Sequence, residues 1–129
     1  FVITCNIDGH FIRGGFDEKR VLETEGSVRG TIDERRLAHP DTEITARLEE
    51  LERLVRAHRD GNVGVLELGV GLYNGIIKRM LAQVADACPH VTYIVFNYNQ
   101  AIAPDAACES ILVDGDMAAA IEEVTRCRP

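Results

Sequence analysis

Four short apolar runs, rich in Val and Ile, limit what this chain can fold into: Val2 to Asn6, Val63 to Leu68, Val91 to Asn97 and Ser110 to Val113. Three of the four run directly into Gly, Asp or Asn, which end strands and make turns. Because the runs are nearly continuous rather than alternating, they predict a parallel sheet covered on both faces. Ligands of such sheets sit at the carboxyl ends of the strands.

The segments between the runs carry helical periodicity. From Thr42 to His58, Ile44, Leu48, Leu51 and Val55 recur at three- and four-residue spacing and share one face. Glu43 with Arg47, Glu49 with Arg53, and Glu52 with Arg56 predict i, i+4 ion pairs on a solvated face. Asp41 or Thr42 can cap this helix, and Gly61 stops it. A second helix is predicted from about Asn74 to Ala87, with Ile76, Ile77, Met80, Leu81 and Val84 inward and Pro89 closing it. A third follows Asp116, whose carboxylate can accept the amides at its start, with Met117, Ile121 and Val124 inward. Residues 27–41, basic at Arg35-Arg36, read as a connector. The order predicts an α/β fold: a Rossmann-like doubly wound parallel sheet forming a single domain over residues 1–129.

Composition narrows the function classes. Twenty-one Asp and Glu against fourteen Lys and Arg leave a net charge of -7, which repels a nucleic-acid backbone. No apolar run approaches the roughly 18 residues that span a bilayer. Cys5, Cys88, Cys108 and Cys127 lack the paired short spacing of a structural zinc site, and His10, His39, His58 and His90 are scattered, so no metal is expected. Free buried thiols, and with them a cytoplasmic location, are favoured over a disulfide. The chain opens Phe1-Val2-Ile3-Thr4, without a signal-peptide pattern and inside what reads as a strand, so the expectation is part of a longer domain.

Two strand ends are rich in polar groups. In Thr4-Cys5-Asn6-Ile7-Asp8-Gly9, the two-residue period places Asn6 and Asp8 on one face of the strand's end, where the pair can hold an amide or a ribose. Asn-x-Asp-Gly is also the sequence of an ordinary turn, and from these residues alone the turn is the favoured reading. In Leu66-Glu67-Leu68-Gly69-Val70-Gly71, a strand breaks into Gly-x-Gly ahead of a helix, which lets a backbone approach a nucleotide. In isolation this segment is similar to the first motif of class I methyltransferases. The third glycine of that motif is Tyr73 here, and the next strand ends in Phe96-Asn97 instead of an acid for the ribose.

In order along the chain, Cys5-Asn6-Ile7-Asp8-Gly9, Gly14-Gly15-Phe16-Asp17, Val21-Leu22-Glu23-Thr24-Glu25-Gly26, Leu66-Glu67-Leu68-Gly69-Val70-Gly71, Asn97 and Asp114-Gly115-Asp116 resemble the C-terminal half of a sirtuin. The wording is closest to the macrodomain-linked branch. The resemblance implies an NAD-binding domain that cleaves the glycosidic bond of NAD and transfers ADP-ribose to a protein acceptor, with a macrodomain protein as a candidate partner. By the same resemblance, Asn6 and Asp8 orient the nicotinamide and its ribose. Gly69, Val70 and Gly71 meet the adenine-side ribose, Asn97 contacts the same half, and Gly115 with Asp116 meets the adenine edge.

The departures from the pattern bear on chemistry. Glu25 stands where deacylating sirtuins carry His and the macrodomain-linked branch often carries Gln. A carboxylate there could accept the ribose 2′-hydroxyl proton or stabilise positive charge as nicotinamide leaves, or it could mark a site without its base. The paired cysteines of the zinc ribbon are absent between Gly26 and the long helix, which makes lysine deacylation the least supported activity. The Gly-Ala-Gly phosphate loop of the family would precede Phe1. Activity of this chain by itself is therefore not expected, and a non-catalytic module binding NAD or ADP-ribose is the alternative.

Overall fold

A computed structural model describes residues 1–25, 41–72 and 74–127, without the side chains of residues 41–43. The architecture is α/β with parallel strands in two separate sheets, and the chain divides into two units, Phe1–Ala57 and His58–Pro129.

In the first unit, β1 (Val2–Thr4) pairs in parallel with β2 (Val21–Glu23), Thr4 opposite Glu23. β2 is buried along its whole length, with Leu22 among the most enclosed side chains. It is not one of the four apolar runs, because three residues are too few to show a period. Between the two lies α1 (His10–Arg13), followed by a 3-10 turn at Glu18–Arg20 that the Asp17 side chain caps through the Lys19 amide. Phe11 and Phe16 meet edge to face, with ring centroids 5.4 Å apart, and close this short excursion.

The long helix α2 (Asp41–His58) also belongs to this unit up to Ala57. The connector predicted for residues 27–41 lies outside the described residues except Asp41, which is already helical. Capping by Asp41 or Thr42 and the pair from Glu43 fall on side chains outside the described ones. Arg56 does pair with Glu52, at 3.1 Å. Arg53 does not take Glu49: its guanidinium forks onto Glu50 at 2.8 and 2.7 Å, where both carboxylate oxygens accept in parallel. Arg20 also approaches Glu50, at 3.9 Å, so Glu50 offers more than Glu49 can. The Arg53 hydrogen bonds hold the Glu50 carboxyl below its usual range. Leu48, predicted inward, is exposed.

The second unit holds β3 (Val63–Leu68), β4 (Val91–Asn97) and β5 (Glu109–Asp114), parallel and in the order β3-β4-β5. α3 (Gly75–Ala87) and α4 (Met117–Arg126) complete it. Register sets Val65, Tyr93 and Ser110 level, and Leu68, Phe96 and Val113 level at the carboxyl end. Val65, Glu67, Tyr93 and Val95 are buried on one face, with Ile77 and Ala85 of α3 also in the core.

Coverage of both faces, expected from the sequence, does not hold for this sheet. Leu66 is 54% exposed and Leu68 and Ile111 are also open, because residues that alternate along a strand point to opposite faces and only one face here is closed. Two predicted inward stripes are corrected as well. Ile77 is 2% exposed while Ile76 beside it is 56% exposed, since consecutive helical residues lie about 100° apart and only one can face the core. Met117, Ile121 and Val124 are all exposed, and α4 contains no buried residue. The four cysteines are free, but only Cys88 is fully buried and Cys127 is exposed.

Candidate functional site

The expected nucleotide residues of the second unit gather at the carboxyl ends of β3, β4 and β5. Gly69 follows β3 with φ of +63°, a left-handed conformation that glycine adopts without steric cost. This turns the chain off the ladder, and the Gly69 amide donates to the Phe96 carbonyl at 2.9 Å. The Asn97 side chain, at the last position of β4, donates through Nδ2 to the Val70 carbonyl at 2.9 Å. The Leu72 amide reaches Gln100 Oε1 at 3.4 Å. On the β5 side, the Gly115 amide donates to the Asn97 carbonyl at 3.3 Å, and Asp114 accepts the Asn99 amide at 2.6 Å. Asp116 caps α4 by accepting the Ala119 amide at 2.8 Å.

Three loops that are remote in sequence are thereby tied into one rim. Asn74 caps α3, accepting the Ile77 amide at 3.4 Å, so the N-terminus of a 13-residue helix opens at the end of the glycine loop. Helix amides and their dipole favour polar and anionic groups at that position. A Cβ at Gly71 would lie 3.7 Å from Gln100 Oε1, an ordinary contact distance.

Beneath this rim lies a group that belongs to none of the sequence motifs as a site residue. Glu67 is 1% exposed, and both of its oxygens are engaged: Oε1 accepts from Lys78 Nζ at 2.5 Å and Oε2 from the Tyr93 hydroxyl at 2.7 Å. Burial first, and then the Glu67 carboxylate, push the Tyr93 hydroxyl far above its ordinary range, which keeps it a neutral donor. A signal for this group is present in the sequence. Glu67 stands two residues after Val65, on the inward period of β3, and a charge at an inward position needs a partner.

The first unit places its expected residues differently. β1 ends at Thr4, where the Asn6 amide turns back to Thr4 Oγ1 at 3.0 Å, so Asn6 and Asp8 do not share a strand face as predicted. Both are exposed in the turn leading to Gly9, whose φ is +66°. Asp8 Oδ1 accepts the His10 amide at 3.0 Å, closing a local turn ahead of α1, and lies 2.9 Å from His10 Nδ1. These His10 contacts, the amide first, lower the Asp8 carboxyl below its usual value. Glu25 follows β2, and the Thr24 amide donates to the Thr4 carbonyl at 2.8 Å. Asn6 and Glu25 therefore leave the same end of two paired parallel strands. Glu25 is exposed, and Glu23 is the buried acid of this unit.

An open cavity of about 580 Å³ occupies the other end of the second sheet, lined in part by His90, Thr92, Cys108 and Glu109. None of the predicted residues lines it. Among the described residues no group of three His, Cys, Asp or Glu side chains can share a metal ion, and no helix is long and apolar enough to cross a membrane. Tyr73 and Gly26 lie outside the described residues. No family model, no curated protein and no solved structure matches this chain.

Proposed function

We propose that this chain is the C-terminal part of a sirtuin-like, Rossmann-type NAD-binding domain whose activity is NAD-dependent ADP-ribosylation of a protein acceptor. One observation carries the reading: Val70, Asn97 and Gly115, nominated from three separate motifs, are joined by hydrogen bonds on one rim at strand carboxyl ends. In this reading the backbone of Gly69 to Gly71 and the start of α3 receive the adenosine side, with Gly115 and Asp116 at the adenine edge. NAD supplies an ADP-ribosyl group held to nicotinamide by a glycosidic bond.

The chain's own residues have separate tasks. Asn97 holds the glycine loop in shape. Asn6 and Asp8 orient the nicotinamide ribose, and Glu25 takes the proton of its 2′-hydroxyl. A protein acceptor, with a macrodomain protein as candidate partner, and a cytoplasmic location go with this reading. Its test is label transfer from NAD to candidate acceptor proteins by the complete protein that carries this chain. Glu25→Ala is expected to abolish transfer, and unchanged labelling would remove the role given to Glu25.

A second reading, a module that binds NAD or ADP-ribose without turnover, is favoured by the engagement of Asp8 with the His10 amide in a local turn. Calorimetry combined with nicotinamide assay separates the two: binding without nicotinamide release selects the module. Absence of binding to either ligand defeats both. A thermal shift with S-adenosylmethionine but none with NAD would select a methyltransferase instead.

A further inference from the structure

We propose that Glu67, held between Lys78 and Tyr93, is a positioning residue that sets the Gly69–Gly71 loop and the first turn of α3 for the ligand; as a statement about ligand it rests on the adenosine-side reading above. Glu67 lies two residues before the left-handed turn at Gly69, at the loop's entrance. Lys78 lies at its exit, in the first turn of α3, where its amide donates to the Asn74 carbonyl at 3.3 Å. Tyr93, fully enclosed on the adjacent strand, fixes the second carboxylate oxygen. The two ends of the glycine loop are thus fastened to each other and to β4 from below, while Asn97 holds Val70 from above.

Stability alone does not account for such a group. A buried ion pair is commonly no more stabilising than apolar residues of the same volume, because removing both charges from water offsets their attraction. What a carboxylate with two fixed donors adds is direction. Oε1 and Oε2 each accept from a different element, so β3, α3 and β4 share one register at the height of the loop. An apolar pair would pack at that height without defining it.

The test compares the parent chain with a Glu67→Met, Lys78→Met double variant made together with Tyr93→Phe, which keeps volume and leaves neither an unpaired charge nor a buried hydroxyl without its acceptor. The midpoint of thermal unfolding is expected to stay within a few degrees or to rise. Amide exchange at Val70, Gly71 and Leu72, measured without ligand, is expected to accelerate at least tenfold. Binding of ADP-ribose is expected to weaken at least tenfold, whereas Lys78→Arg, which restores the ion pair, retains parental affinity. Unchanged exchange in the triple variant overturns the positioning role whatever the ligand is. Faster exchange in a parent-stable variant, with no ADP-ribose bound by the parent, upholds the positioning role and overturns the adenosine reading. Parental affinity in the triple variant, despite faster exchange, shows that the network does not serve the ligand and overturns the proposal as stated.

Discussion

The two sheets of this molecule are both parallel, but their carboxyl edges are built in very different ways. At the carboxyl edge of β3, β4 and β5, the loops are bonded to one another, and a buried carboxylate lies beneath them. At the carboxyl edge of β1 and β2, Asn6, Asp8 and Glu25 are all exposed, and Asp8 spends an oxygen on the His10 amide. Preorganisation therefore resides in the larger sheet. A rim whose donors and acceptors are already fixed presents backbone groups to a ligand with little ordering cost, whereas exposed side chains lose rotamer freedom when they engage one.

The largest effect expected from this contrast lies under the ordered rim. Tyr93→Ala removes a fully enclosed ring and leaves Glu67 Oε2 without its donor, so a loss of about 3–5 kcal/mol is expected in chemical denaturation. A loss below about 1 kcal/mol would show that the second unit does not depend on this buried network. Next is Gly69→Ala. A Cβ there meets only the Met117 thioether at 3.9 Å, so the cost is conformational, about 1–2 kcal/mol for a left-handed alanine. ADP-ribose affinity should fall along with stability. An alanine variant with parental stability and affinity would sever the left-handed turn from the order of the rim.

The smallest effect concerns the exposed edge. Asp8 has a folded-state carboxyl lowered below its ordinary value of 3.8, first by the His10 amide, so the contribution of that contact is present above that value and is lost as pH falls through the lower, folded-state one. Chemical shifts of His10 to Arg13 followed by acid titration should report fraying of α1 in that window. The Gly69 amide, whose acceptor is the Phe96 carbonyl and which has no carboxylate beside it in sequence, should not follow it. If the Gly69 amide titrates together with α1, the contrast between the two edges fails.

Much of the second unit is legible in its local sequence. Val63–Leu68 and Val91–Asn97 are strands with the predicted bounds, α3 begins within one residue of its predicted start near Asn74, and α4 begins after the predicted Asp116 cap. Long apolar runs and the Asp116 cap are local signals that survive tertiary context, whereas the cap that Asn74 makes for α3 is a finding of the structure. The first unit is less legible. β2 and α1 are three and four residues long, and β2 pairs with a strand some twenty residues away, so no local pattern announces them. The candidate site follows the same division: Asn97 and the glycine loop are visible as motifs, whereas Glu67, Lys78 and Tyr93 are separated along the chain and become one group only through the β3–β4 register and the position of α3.

The α/β class, the parallel strands of the second unit, the cap of α4 and the glycine turn at Gly69 are written in the sequence, because each rests on the conformational preference of a few adjacent residues. Packing settles the rest: that the strands form two sheets, that one face of the larger sheet stays open at Leu66 and Leu68, and that Glu67 is satisfied by Lys78 and Tyr93. Burial and the pairing of a buried charge depend on which distant elements arrive at a position. Periodicity sets the face on which a side chain stands, and only tertiary contacts set what covers it.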